Sequence, residues 1–340
     1  GFVSGGNFRT EPDGSITQLV VEGQSLSDGQ GTIVFVDAIR PGEGGHGVFS
    51  PFIPGGQWNA VRLHPDGAVT MVAEPGDVAP SGGTFNSIND PVISSAGDIA
   101  FSAQTLSPMF QFSQGIYFSR AADHELVTVV RSGDPLPDGP GTFGSFNTNP
   151  AINASGSLAF RSVNLHDTPG GAMDNAGVFL SDGRVITTIA RRGALTPTGD
   201  GLLFEFPLEV LCLNDSGQVL FTASLAGTDG GSTDDSGLFL GDGTSLVEIA
   251  REGDPAPGGG AFTSFAALFG IPMALNNAGE VVFLCTLSGG VQAIMRWTHD
   301  EGLAVVVREG DVTPTGAIIA LDFAGHADQF ATPGSGLNDA

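Results

Sequence analysis

Lysine is absent from this chain of 340 residues. All 12 basic side chains are arginine, set against 37 acidic ones, for a net charge of −25. Such a surface repels nucleic-acid phosphates and anionic lipid headgroups, so neither is expected as a partner. It suits solubility, a salty medium or cation binding. Cysteine is nearly absent too. Cys212 and Cys285 make neither a disulfide framework nor a zinc site, which wants four ligands in close pairs. No run of about 18 apolar residues occurs, so no segment is expected to span a membrane. Tryptophan (two) and tyrosine (one) are scarce, which leaves few of the amphipathic rings that glycan-binding surfaces use. Helical periodicity is almost missing as well.

What is abundant is glycine (52), proline (21) and phenylalanine (24), with 41% apolar residues overall. Gly and Pro fall between short β-branched runs, the pattern of many tight turns joining strands. Those runs recur. Asn153-Ala-Ser-Gly156-Ser-Leu-Ala-Phe160 is matched by Asn214 to Phe221, with Gly217, and by Asn276 to Phe283, with Gly279. Ser94 to Phe101, with Gly97, and Asp28 to Phe35, with Gly31, read as weaker copies. The anchors Phe35, Phe101, Phe160, Phe221 and Phe283 are separated by 66, 59, 61 and 62 residues. A Gly-x-aromatic element follows the first four (Gly47-Val-Phe49, Gly115-Ile-Tyr117, Gly177-Val-Phe179, Gly237-Leu-Phe239), and the fifth has Ala293-Ile-Met-Arg-Trp297 in its place. Then comes an alternating run ending in Arg-x-Gly-Asp-x-x-Pro, as in Val127 to Pro137. Glu74 replaces the Arg in one copy and Ala194 the Asp in another.

One repeat therefore predicts four antiparallel strands: one before the Asn-x-x-Gly turn, one through the Phe, one through Gly-x-aromatic and one before the Pro/Gly loop. A sheet of that size cannot bury both faces alone, so neighbours must stack. Four-stranded units at a period of about 60 residues are the blades of a β-propeller. The reading is all-β, one propeller domain over residues 1–340, most simply six-bladed. A sixth copy starts at Asn338-Asp-Ala340, and Gly1-Phe-Val-Ser4 resembles part of a third or fourth strand. The last blade is then incomplete here, or completed by the N-terminus or by a strand from another copy. A head-to-tail exchange of the last kind would build a filament.

These anchors resemble a bacterial family of exported tandem-repeat proteins, the choice-of-anchor surface proteins, named for an Asn-x-x-Gly-x-x-Ala-Phe core. Asn153, Gly156, Ala159 and Phe160 match it in full; in the second repeat Ala100 and Phe101 match and Ser94 replaces the Asn. The resemblance implies a secreted or cell-surface location and no catalytic residue.

Candidate chemistry is sparse. Gly42-Glu-Gly-Gly-His-Gly47 has the spacing of a dinucleotide fingerprint but joins two strands, where that motif needs a following helix. The histidines (46, 64, 124, 166, 299 and 326) show no metal or triad spacing and read as loop residues. Asn153 and Asn214 head formal glycosylation sequons at repeat turns. Cys212 and Cys285 read as small buried hydrophobes, although as residues of adjacent blades they are also open to a disulfide. The recurring Arg131, Arg191, Arg251 and Arg308 read as each blade's tie to a carboxylate or a neighbouring loop. The acidic loops offer the one cofactor expectation, calcium held by Asp229, Asp234 and Asp235, since hard cations take several oxygens.

The function expected is that of a non-enzymatic extracellular structural or adhesive propeller, with copies of itself as partner. Two alternatives stand beside it: a cation- or glycan-binding module on the acidic loop face, and a propeller hydrolase or lyase.

Overall fold

The structure, a computed structural model, describes residues 6–10, 15–35, 39–42, 45–53, 57–89, 91–146, 149–206, 211–265, 273–313, 316–318 and 321. Apart from short turns of 3-10 helix, such as Gly171–Met173 and Gly231–Thr233, all regular structure in them is β-strand. Most of the strands form antiparallel sheets of four or five strands, the blades of a β-propeller. The chain divides into two compact units, Gly1–Asp134 with Gly144–Gly156, and Pro135–Phe143 with Ser157–Ala340.

In the first unit, one sheet runs Arg40–Pro41, Gly47–Phe49, Ala60–Leu63, Val69–Ala73. The next runs Val92–Ile93, Ile99–Leu106, Phe112–Ser119, Leu126–Arg131, and Thr84–Ile88 lies along the far half of Ile99–Leu106. In the second unit, Leu158–Val163, Ala176–Ser181 and Ile186–Arg191 are successive neighbours. The fourth sheet sets Cys212–Leu213 and Leu202–Glu205 on Val219–Ala226, followed by Ser236–Gly241 and Leu246–Arg251. The fifth repeats this with Met273–Leu275 and Phe262–Ser264 on Val281–Leu287, then Val291–Thr298 and Gly302–Arg308.

A β-bulge stands at one place in every third strand: Ala60/Val61, Ile116/Tyr117, Val178/Phe179, Leu238/Phe239 and Ile294/Met295. A bulge strengthens the local twist, and its recurrence gives each sheet the same twist at the same point. Directly opposite lies the anchor of the second strand. Phe101 stacks on Tyr117, Phe160 on Phe179 and Phe221 on Phe239, with centroids 5.7, 5.8 and 5.8 Å apart. A third ring from the incoming loop meets the pair edge-on, Phe85 in one sheet and Phe143 in another. Phe101 and Tyr117 share a core with Val48 and Ala60 of the preceding sheet, and Phe283 shares one with Leu238 and Leu240. The many phenylalanines thus fill the seams between sheets.

The bulge also corrects the first repeat. Phe35 is 50% exposed and is not the anchor. Phe49 is, since it is buried, pairs with Val61 just past the bulge, and packs with Val20, Leu26 and Ile33. Gly47-Val-Phe49 is therefore a second strand, not a third. Its turn is Gly42–His46, closed by a Gly42 N–H to His46 C=O bond like those from Ser94 to Asp98 and Asn214 to Gln218. Gly45, at φ +88°, holds the left-handed place that Gly97, Gly156, Gly217 and Gly279 hold at +79 to +87°. Gly31 is not a repeat anchor of this kind. Residues 22–33 copy the Gly-Asp-x-x-Pro loop instead. Gly23 N–H bonds Ile33 C=O and Ile33 N–H bonds Gln24 C=O, as Gly76, Gly193 and Gly253 do with Phe85, Leu203 and Phe262 at 2.8–3.0 Å. Asp28-Gly-Gln-Gly31 mimics the turn composition but lacks its hydrogen-bond closure.

The N-terminal hairpin, Gly6–Thr10 with Ile16–Val21, carries the same bulge at Asn7/Phe8. Gly6-Asn-Phe8 is thus a Gly-x-aromatic element of a third strand; Gly1 to Ser4 lie outside the described residues. Asn338 to Ala340 also lies outside them.

Candidate functional site

The acidic loop expected to hold calcium is braced by its own hydrogen bonds. Thr228 to Asp235 has a counterpart in Thr168 to Asn175, and both are tied alike. Gly230 N–H donates to Asp234 Oδ2 at 2.9 Å, and Gly170 N–H to Asp174 Oδ2 at 3.2 Å. The Thr228 hydroxyl donates to Asp234 Oδ1, which holds the Asp234 carboxyl below its ordinary range. Asp229 uses its N–H on Asp200 Oδ1, and Asp235 its carbonyl on Leu225 N–H. Asp229, Asp234 and Asp235 share a loop without converging. Among the described residues no three His, Cys, Asp or Glu side chains gather as a metal site.

The repeated arginines reach back about one repeat. Arg131 Nη1 donates to Ser81 C=O, Arg251 Nη2 to Asp200 C=O and Arg308 Nη1 to Gly258 C=O. Arg191 takes the Asp138 carboxylate at 2.9 and 3.1 Å. Each strand-four end is thereby strapped to the loop before it. Cys212 and Cys285 are buried free thiols, not a disulfide. They hydrogen-bond the carbonyls of Met273 and Ala293, and burial pushes both up to about 12, so neither is a reactive thiolate. Asn153 and Asn214 are buried in their turns; Asn214 Nδ2 donates to Gln218 Oε1 and Asn276 C=O, which leaves no room for a glycan.

Two constellations remain. The first is a cluster of three histidines in the first unit. His64 and His124 meet edge to face at 5.7 Å, and His64 Nε2 bonds Thr70 Oγ1 at 2.8 Å. His46 lies against the Gly97 turn; a Cβ on Gly97 would approach its ring to 3.2 Å. Arg62, 1% exposed, lies among them, donating to Gly97 C=O at 2.9 Å, Ser119 Oγ at 3.2 Å and Arg120 C=O at 3.3 Å. Burial lowers His64, and Arg62, His124 and His46 lower it further against the opposing pull of Asp66. The folded state therefore binds protons at His64 less readily than the unfolded chain does. The stability this gives is complete above the ordinary histidine pKa and is lost as pH falls through the depressed folded value. The urea midpoint is expected to fall between about pH 7 and pH 5, and less steeply in His64→Gln. An unchanged slope in the variant would show that His64 is not the cause. Sequence reasoning missed this grouping because two turns and a strand end, each with one ordinary histidine, meet only in three dimensions.

The second is a groove of about 440 Å³ in the second unit, lined by Asp138, Pro140, Pro169, Met173, Arg191 and Arg192 together with the Gly193–Ala194 backbone. Arg192 lies over the Phe204 ring at 4.2 Å and donates to Asn175 Oδ1 at 3.2 Å. In a chain of charge −25, Arg191-Arg192-Gly-Ala194 carries two cations where Arg251-Glu252-Gly-Asp254 carries one cation and two anions.

Residues 4–327 match the model of the Family of unknown function (DUF7453), and the chain belongs to that family. None of the curated proteins compared with it matches. Among solved structures it is similar to the Trypanosoma rangeli sialidase in complex with the inhibitor DANA, at 12% identity and TM-score 0.37, over 92% of this chain and 51% of that one. It is also similar to the Hadza microbial sialidase Hz136, at 10% and 0.39, over 87% and 62%. The GH93 alpha-L-arabinofuranosidase of Fusarium graminearum with arabinobiose gives 11% and 0.35, over 79% and 80%. The chain spans about half the length of the Trypanosoma rangeli enzyme.

Proposed function

We propose that this protein is a non-enzymatic structural and adhesive propeller, acting outside the cell or at its surface, whose partner is another copy of itself. The observation that carries this reading is the hairpin tip between Ile99–Leu106 and Phe112–Ser119. Met109 and Phe110 are each 82% exposed, and Phe112 is exposed beside them. Phe110 adopts φ +58°, a left-handed conformation unfavourable for a bulky side chain. The tip is held by bonds from the N–H groups of Phe110 and Gln111 to Ser107. Val78, in a loop of the same unit, is also exposed. Apolar rings presented on a stiff hairpin favour contact with another surface. The strongly acidic remainder resists indiscriminate association, so contact is directed to such points.

Sedimentation of the intact chain tests this. Self-association is expected, and the triple variant Met109→Ser, Phe110→Ser, Phe112→Ser is expected to be a monomer with an unchanged melting temperature. A wild-type chain that stays monomeric at high concentration, or a triple variant that still associates, would sink the reading. Steady turnover of glycoside substrates by the wild type would replace it with the hydrolase alternative.

A further inference from the structure

We infer that the third-repeat groove binds the carboxylate of a small organic acid or sugar acid, seated where the other repeats place an aspartate side chain. One loop differs between the repeats, on residues that play no part in the adhesive reading. In the Arg-x-Gly-Asp loops the aspartate folds back on the strand end. Asp134 Oδ2 accepts the Arg131 N–H at 2.9 Å and Oδ1 accepts Arg131 Nε at 3.0 Å. Asp77 and Asp311 accept the Glu74 and Arg308 N–H groups at 2.9 Å in the same way. In the third repeat this residue is Ala194, which has no oxygen to offer.

Both donors persist there. Arg192 N–H pairs with Ala176 C=O, so in the antiparallel register the Arg191 N–H, opposite Gly177, points away from the ladder, as Arg131 N–H does. Arg191 Nε is buried without a partner. In the fourth repeat the corresponding Arg251 Nε donates to Asp234 C=O. Arg191 instead uses Nη2 on Asp174 C=O and Nη1 on Asp138, which leaves Nε over. A buried N–H without an acceptor is costly, and a carboxylate with two oxygens set for a backbone N–H and a guanidinium Nε is what Asp134 supplies in the second repeat.

The surroundings suit an incoming anion. Arg192 replaces Ser132, Glu252 and Glu309 of the other loops and adds a cation to the groove. Asp138 and Asp174 also line it, but Asp138 is paired with Arg191, and Asp174 Oδ2 accepts the Gly170 N–H. Pro140, Pro169 and Met173 offer apolar wall to the rest of the ligand. The groove volume admits a molecule of monosaccharide size.

Calorimetric titration of the intact chain with succinate, glucuronate and uncharged glucose tests the site. Saturable binding of the acids and none of glucose is expected. Tighter glucuronate than succinate identifies a sugar acid, and the reverse order a simple organic acid. Ala194→Asp refills the place from within, as Asp77, Asp134 and Asp311 do in three other repeats, so it is expected to fold normally and to bind at least about 10-fold more weakly. Arg192→Gln is a second variant, expected to weaken the acids without affecting Asp138 pairing. The inference is overturned if neither acid binds the wild type, if equal ionic strength of chloride abolishes binding, or if Ala194→Asp binds as the wild type does.

Discussion

Phe160→Ala is expected to lower the unfolding free energy by about 3–5 kcal/mol, the range for emptying a large aromatic from a packed core. Its ring is fully buried between Phe179, stacked at 5.8 Å, and Phe143, 6.1 Å away. Phe49→Ala is expected to behave alike, because Phe49 holds the same register in the first repeat. Phe35→Ala, at a half-exposed position, is expected to change stability by less than about 0.5 kcal/mol. Urea unfolding of the three variants checks both the packing and the assignment. A Phe35 effect as large as that of Phe49 would return the anchor to residue 35.

Arg62→Ala is the second large effect, expected at about 3–5 kcal/mol, the usual consequence of breaking a buried charged network. The Arg62 guanidinium feeds hydrogen bonds to the carbonyls of Gly97 and Arg120 and to the Ser119 hydroxyl. Alanine would leave these acceptors buried and unmatched and open a cavity as well. Burial pulls the Arg62 pKa down and Asp98 opposes it, so the charge is tolerated because it is enclosed by acceptors. Arg62→Met separates the contributions. It restores much of the volume but none of the donors, so a loss nearly as large as that of alanine assigns the effect to the hydrogen bonds. Near-wild-type stability of both variants would show that water replaces the guanidinium.

The later repeats are legible in the amino-acid order because their constraints are local. Asn153, Asn214 and Asn276 accept N–H bonds within their own turns, from Ser155, Gln218 and Glu280, and the following glycine must turn left-handed. Such turns need no distant partner, so composition and spacing reveal them. The first repeat has lost the Asn, keeping Gly42 there, and its true register is visible only through the bulge at Ala60/Val61. The candidate sites were less legible for the same reason. Acidic residues cluster in the sequence at Asp229 to Asp235, but Asp234 spends its carboxylate on the Gly230 N–H and the Thr228 hydroxyl, and the three do not gather as a metal site among the described residues. The donors at Arg191 are conspicuous only beside the paired Arg131.

The order of residues by itself determined that this is an all-β chain of four-stranded repeats, since turn-forming Gly and Asn alternate with apolar runs too short and too β-branched for helices. It also determined that Ala194 and Glu74 depart from their repeats. Only the tertiary structure decided what those departures do, and which histidines meet. Side chains about one repeat apart are brought into contact by the stacking of sheets, and whether a donor such as Arg191 Nε is satisfied depends on the loops that stacking places around it.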